Sequence, residues 1–297
     1  EATTATALLA FSEVPADVLI LEVGLGGSYD ATNVIDQPAL SVITPIDFDH
    51  KAFLGSDIRK IAGEKAGIIK SGRPALTAIQ RKICDDVIAK RAEDVGAPLY
   101  RLKAHFIDAM PEDLGLLGEH QRANAALAAM AVQLFGNSTI IDQNAIFEGA
   151  RNVVWPARMQ RLKDGPLTAL APNQEIWLDG GHNPHAARAI ARQLNNMPGR
   201  TALVAAMLAS KDATGYFMPF RQVRPEVFTL PNAPGHQGAE PQALAEAATN
   251  AGLKAAAYDS LEAALKAAAT TGVDRILICG SLYLAGEVLA QNGEPPA

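Results

Sequence analysis

The sequence predicts an α/β protein of mainly parallel sheets, and three observations lead there. Short apolar runs of strand length alternate with longer segments of helical periodicity along almost the whole chain. Several of those runs end in an acid, with or without a histidine, close to glycine, which is where open α/β sheets place their chemistry. Near Val154-Trp155-Pro156 the series breaks, and a proline-punctuated stretch leads into a second β/α series.

The chain opens in a helical pattern (Ala5, Leu8, Leu9) and reaches a strand-like run at 18–23. Further strands are expected at 40–44, 75–78, 175–178, 201–205, 227–230 and 275–279. Helices fit 58–66, 81–95, 120–135, 144–152, 185–195, 239–251 and 261–270. This rhythm implies sheets covered on both faces. The tail from Asn292 to Ala297 reads as disordered.

Bulk properties exclude several classes. At 297 residues, 48% hydrophobic and 20% charged, the chain has the make-up of an ordinary globular protein with room for two domains. A net charge of −6 argues against a nucleic-acid surface. Cys84 and Cys279 are far apart, so no disulfide framework or zinc spacing is present, and a reducing, cytoplasmic setting is expected. No apolar run reaches membrane-span length and no signal-peptide pattern is visible.

The candidate chemistry sits at strand ends. Glu22 closes the first apolar run and precedes Gly24, Gly26 and Gly27. That spacing is not the dinucleotide fingerprint, and a loop ending on Asp30 and Asn33 suits a nucleotide or metal site better than a nicotinamide. Glu22 reads either as an oxygen ligand for Mg²⁺ or as a loop acid paired nearby. His50, beside Asp47 and Asp49 beyond the next strand, is placed to be a ligand or a base. Lys65 falls on the apolar stripe Ile58, Ile61, Ala62, Lys65. It either snorkels to water or is a desolvated amine of lowered pKa, able to take up CO₂ as a carbamate. Asp179 ends the first strand of the second series, ahead of Gly180-Gly181-His182-Asn183-Pro184, where Asn183 can cap a helix and Pro184 suits its first turn. The acid could hold a ribose hydroxyl or be incidental to a capped turn. The last strand ends in Gly280-Ser281. His105, His120, His185 and His236 read as structural, and a complete phosphate loop is absent.

In order along the chain these segments resemble the folylpolyglutamate synthase and dihydrofolate synthase branch of the Mur ligase superfamily. The resemblance covers nearly the whole chain. It rests on Glu22-Val-Gly-Leu-Gly-Gly with Asp30-Ala-Thr-Asn33, Asp49-His50 with Leu54-Gly55, and Ile61-Ala-Gly-Glu-Lys-Ala-Gly-Ile68. Gly118-Glu-His-Gln-Arg-Ala-Asn-Ala125, Trp155-Pro-Ala-Arg158, Asp179-Gly-Gly-His-Asn-Pro184 and Gly280-Ser-Leu-Tyr-Leu284 complete it. Two positions depart from the family pattern: Ala157 replaces a usual glycine and Gly181 a usual alanine.

The resemblance implies a central ATPase domain over 1–154, lacking the amino-terminal portion that carries the phosphate loop, and a Rossmann-like domain over 155–297. It implies an ATP- and Mg²⁺-dependent ligase that adds L-glutamate to dihydropteroate, to the glutamyl tail of a reduced folate, or to both. Glu22, His50 and carbamoylated Lys65 are then expected to hold Mg²⁺, Asn124, Arg158 and Asp179 to contact ATP, and His182 and Ser281 to face glutamate. The expected protein is a monomer, with no nucleic-acid or membrane partner. Without a phosphate loop, these 297 residues alone are expected not to turn over ATP. A non-catalytic remnant or a cell-wall Mur ligase are the alternatives; the Leu25-Gly-Gly loop with Asp30-Ala-Thr-Asn33 favours folate over the latter.

Overall fold

The computed structural model describes residues 1–14, 16–48, 55, 57–135, 141–235 and 237–295. They form two compact units, one of Glu1–Glu112 with Ala123–Gly149, the other of Asp113–Arg122 with Ala150–Ala297. The segment Asp113–Arg122 joins the second unit through Gly115 N–H donating to the Ala150 carbonyl (3.0 Å) and Arg151 pairing with Asp113 (2.9 Å).

The first unit holds a parallel three-stranded sheet, β1 (Ser41–Ile43), β2 (Ala75–Thr77) and β3 (Leu99–Arg101), in that order. Helices α1 (Ala2–Glu13), α2 (Ile58–Ala66), α3 (Lys82–Asp94) and α4 (Ala104–Asp108) accompany it; α5 (Glu119–Phe135) and α6 (Gln143–Asn152) follow, each with residues in both units. Helix α2 starts because Asp57 caps it, accepting from Arg59 N–H. Its stripe then buries Ile61, Ala62 and Ala66 against Ile43, Ala75, Cys84 and Ile88. Burying a side chain such as Ile61 contributes roughly 1.5–3 kcal/mol.

One expected strand is missing. Residues 18–23 join no strand ladder among the described residues, and Ile20 is 87% exposed. The run has strand composition, yet a strand exists only through a ladder, and β1 pairs with β2 alone among the described strands. Helix α1 likewise buries no residue. Asp49, His50 and Leu54 lie outside the described residues, as does His236.

The second unit is a six-stranded sheet ordered β4 (Gln160–Arg161), β5 (Glu175–Asp179), β9 (Arg275–Cys279), β6 (Thr201–Ala205), β7 (Glu226–Thr229) and β8 (Ala255–Ala257). Only β4 is antiparallel. Alternate residues feed opposite cores, as the period of two requires. Ile176, Leu178, Ala202, Val204, Ile276 and Ile278 pack beneath α10 (Leu261–Ala269) and α11 (Leu282–Gln291). Trp177, Leu203, Leu277 and Cys279 pack beneath α7 (Pro184–Asn196), α8 (Ala213–Phe217) and α9 (Pro241–Asn250).

Strand β5 therefore leads to a helix on one face, while its neighbour β9 leads to a helix on the other. Their carboxyl ends, Asp179 and Cys279, flank a topological switch point, where open α/β sheets open a crevice for ligands.

The start of the tail, residues 292–295, is held in place where disorder was expected. Asn292 is 3% exposed. Its amide donates to the Lys163 carbonyl (2.9 Å) and Glu294 (2.8 Å), and its oxygen accepts from Leu167 N–H (3.1 Å). Buried amide hydrogen bonds outweigh the weak propensity of the segment; Pro296 and Ala297 lie outside the described residues. Asn292→Ala is expected to lower unfolding free energy by about 1–3 kcal/mol, because it strands backbone groups that are now paired. Urea denaturation with unchanged m-value measures this; an unshifted midpoint refutes it.

Candidate functional site

In the first unit the glycine loop is built from its own acid. Asp30 accepts from Gly24 N–H (3.0 Å), Leu25 N–H (2.9 Å), Thr32 N–H (2.9 Å) and the Thr32 hydroxyl (2.6 Å). Partial burial works to raise its pKa, but these four donors outweigh it and hold the carboxyl below the usual range. Asp30 thus shapes the loop.

The loop sits directly on α2. Ser28 N–H donates to the Glu64 carbonyl (2.9 Å), and Asn33 donates to the Ser28 carbonyl (3.0 Å). A Cβ on Gly27 would lie 2.4 Å from the Glu64 carbonyl oxygen and 3.0 Å from Lys65 Cα, so only glycine allows this approach. The segment that follows Glu22 is thereby seated on the backbone of Lys65. Lys65 is half-buried on the stripe and Glu22 is exposed.

Among the described residues no three His, Cys, Asp or Glu gather as a metal-binding group. Of the three expected ligands, His50 lies outside the described residues. The exposed carboxylate of Glu22 has the oxygen chemistry that Mg²⁺ takes. Asn124 is exposed on α5.

In the second unit Arg158 lies in a strained turn. Ala157 (φ 57°) and Met159 (φ 45°) both adopt the left-handed conformation, which costs a non-glycine residue about 1 kcal/mol each. Asp179 holds the turn in place. Its Oδ2 accepts from Met159 N–H (2.9 Å) and its Oδ1 from Gly181 N–H (2.7 Å). Gly180 N–H closes the arrangement by donating to the Ala157 carbonyl (2.8 Å). Asp179 is 5% exposed; burial raises its pKa, while the two N–H groups and the charge of Arg158 oppose the rise.

The remaining residues sit around the same switch point. Asn183 caps α7 by accepting from Ala186 N–H (2.8 Å), with Pro184 in the first turn, as the sequence implies. His182 Nδ1 lies 3.1 Å from the Gly180 carbonyl. Ser281 is buried and caps α11, accepting from Tyr283 N–H (3.2 Å) and Leu284 N–H (3.3 Å). Gly280 N–H donates to the Gly181 carbonyl (3.1 Å), joining the two strand-end loops.

His120, read from the sequence as structural, lies beside the Arg158 turn. Burial holds its imidazole below the ordinary histidine value of 6.5, and the charges of Arg158, His185 and Arg192 add to that. Arg158 and Arg192 supply two fixed positive charges near the Arg158 turn, suited to an anion, and burial keeps the His120 imidazole beside them from joining them. Arg192 lies on α7 two turns from His185, a helical spacing that offered the only hint.

The departures from the family pattern have local reasons or costs. Ala157 occupies a backbone conformation that favours glycine. At Gly181 a Cβ would lie 2.9 Å from both Ala186 Cβ and Asp179 Oδ1, so glycine fits this packing and alanine does not.

The fold and this site define a Mur-type ligase domain. Residues 157–282 match the family described as Mur ligase, glutamate ligase domain. The chain is 31% identical to the dihydrofolate synthase/folylpolyglutamate synthase of Escherichia coli over 302 residues, covering 96% of this chain and 67% of that protein. It is 34% identical to the Bacillus subtilis counterpart, covering 71% of this chain and 53% of that protein. A solved Mycobacterium tuberculosis folylpolyglutamate synthase, complexed with ADP and AMPPCP, superposes with a TM-score of 0.86 at 29% identity, covering 99% of this chain and 73% of that one. A Yersinia pestis bifunctional enzyme with Mn, AMPPNP and L-glutamate bound superposes at 0.79, also at 29% identity, covering 97% and 70%. The chain belongs to the folylpolyglutamate synthase/dihydrofolate synthase family. It spans about half the length of the Bacillus subtilis relative, and the alignment to the human mitochondrial folylpolyglutamate synthase covers 36% of that protein.

Two outcomes are expected. Ala157→Gly should raise stability by about 1 kcal/mol by relieving the left-handed alanine, less the added freedom of the unfolded chain; a lowered melting temperature refutes this. His120 has a folded pKa below its unfolded value. Above pH 6.5 it contributes nothing, and as pH falls from 6.5 towards the folded value the unfolded state takes the proton first and stability is lost. His120→Gln should therefore flatten the stability–pH curve just below 6.5; parallel curves for the two proteins refute the assignment.

Proposed function

We propose that this chain serves an ATP- and Mg²⁺-dependent ligase that joins L-glutamate to dihydropteroate, to the glutamyl tail of a reduced folate, or to both. The observation that carries the reading is the Arg158 turn. Two non-glycine residues in left-handed conformation bracket one guanidinium, at the carboxyl end of a strand beside a switch point. Strain of that kind persists where it positions a side chain for use.

The chemistry is a sequence of two displacements. The substrate carboxylate attacks the γ-phosphorus, ADP leaves, and an acyl phosphate forms. The amine of glutamate then attacks the acyl carbon, loses a proton, and phosphate leaves. Both reactants of the first step are anions, so cations must lie where charge gathers.

In the second unit we assign Arg158 to the phosphates, with Asp179 orienting it through the Met159 N–H. Each Asp179 oxygen keeps a lone pair beyond its backbone bond, which suits a ribose hydroxyl. His182 and Ser281 are assigned to the incoming glutamate. Ser281 would do so through the α11 amino terminus it caps, since its hydroxyl is buried and already accepts two N–H groups. In the first unit we assign Asn124 to the nucleotide and Glu22, His50 and Lys65 to Mg²⁺. That ion, when bound, would neutralise phosphate charge. Lys65 reaches that role as a carbamate: its neutral amine bonds to the carbon of CO₂ and releases a proton, turning a cation into an oxygen ligand. The protein is assigned to the cytoplasm as a monomer. Among the described residues no helix is long and apolar enough to cross a membrane, and both cysteines are free and buried.

The test is glutamate-dependent phosphate release by the full-length gene product, with ATP, Mg²⁺ and either dihydropteroate or tetrahydrofolate. Turnover with one substrate or both is expected, and no turnover with either favours a non-catalytic remnant. Lys65→Ala is expected to remove most activity and to abolish a carbamate ¹³C signal from labelled bicarbonate. Near-normal turnover in that variant would make Lys65 a snorkelling residue.

A further inference from the structure

At the end of the second unit's sheet opposite Asp179 lies a cavity of about 630 Å³ with no part in the site described above. It is lined by the loops that enter β6, β7 and β8. Four cations face it, Arg200, Arg221, Arg224 and Lys254, against the single carboxylate of Glu226. Lys254 takes that carboxylate at 2.7 Å. Neither Arg221 nor Arg224 has a carboxylate partner among the described residues.

Two further features suit this cavity to an anion. Arg275 does not line the cavity but is tied to it through Thr201, and is 4% exposed. It donates to the hydroxyl of Thr201, which lines the cavity, at 3.1 Å and to the Pro198 carbonyl at 2.8 Å, while its Nε has no partner. A buried guanidinium without a counter-ion is costly, and a nearby anion would offset that cost. Arg224 is the second feature. It holds φ 53°, a left-handed conformation fixed by its N–H donating to the Phe220 carbonyl at 2.9 Å. Glycine suits that position better, and arginine there aims a charge at a price in strain.

Helix carboxyl ends also attract cations, and α7 and α9 both end near this cavity. Each such end carries about half a negative charge, or about one for the pair. Arg200, Arg221, Arg224, Lys254 and Arg275 carry five positive charges, against Glu226 and the neighbouring Asp274, whose carboxylate accepts from Arg200 N–H (2.7 Å). A positive excess remains in a chain whose net charge is −6.

We propose that this cavity binds a small molecule carrying two or more oxyanion groups, held by Arg221 and Arg224, at a site separate from the Arg158 turn. The shared chemistry is closely spaced negative oxygen, which phosphate or carboxylate groups can supply. Paired guanidinium forks match either.

Isothermal titration of the protein with pyrophosphate and, separately, with γ-linked triglutamate tests this. Saturable binding of at least one probe is expected, weakened about tenfold or more in Arg221→Gln and in Arg224→Gly, a loss of about 1.4 kcal/mol. The probe that binds identifies the source of the oxyanions. Arg224→Gly relieves the strained backbone, so its melting temperature should be no lower than wild type, and lost binding cannot then be lost folding. Repeating the comparison in an Arg158→Gln background shows whether the cavity binds independently of that turn: the effects of the cavity variants should persist there. Absence of saturable binding for both probes, or affinity changed less than about threefold in both cavity variants, overturns the proposal.

Discussion

The second unit turns on one buried carboxylate. Burial opposes the charge of Asp179, so its ionised form depends on what surrounds it. The surroundings are two backbone N–H groups from different segments, Met159 and Gly181, with the Arg158 guanidinium close by. One side chain therefore fixes the approach to β4, the turn that starts α7 and the placement of the arginine between two strained residues. Removing any one of those partners leaves the others without their reference point, a coupling that simple addition of bond strengths does not capture.

Much of this architecture was legible in the sequence. Strands β5, β6 and β9 are apolar runs bounded by turns, and they appear within a residue of where periodicity places them. Helix α2 matches its expected bounds, because capping by Asp57 and a clear stripe agree. What escaped did so for physical reasons. Strand β8 is Ala255–Ala257, three residues of low strand propensity that pair because β7 offers an edge. Residues 18–23 carry strand composition without a pairing neighbour among the described residues. Asn292 looked like a loose terminus, since nothing local shows that Lys163 and Leu167 come to meet it.

The site was legible unevenly. Asp179 ends its strand, as strand-end reasoning implies, and Arg158 and His182, which only the family resemblance singled out, lie at the same end of that sheet. The roles of neighbours were harder to read. Asp30 read only as the polar end of the glycine loop and proves to be its internal anchor, because sequence cannot show that four donors converge on it. His120 looked ordinary until its cationic surroundings, distant in sequence, were visible. Local pattern reports which residues can act; only the tertiary arrangement reports which already have an occupation.

The close seating of the glycine loop on α2 has a mechanical consequence. Gly27 leaves no space above the Glu64 carbonyl, and a Cβ on Gly67 would run into Ser28. With the surfaces this near, and with Ser28 and Asn33 bonded across them, the loop and the helix behave as one lever. Any tilt of α2 carries the following loop with it, so Glu22 and Lys65 would travel together rather than drift apart. The distance between the backbones that carry those two side chains is therefore set by two glycines, Gly27 and Gly67, that contribute no side chain of their own.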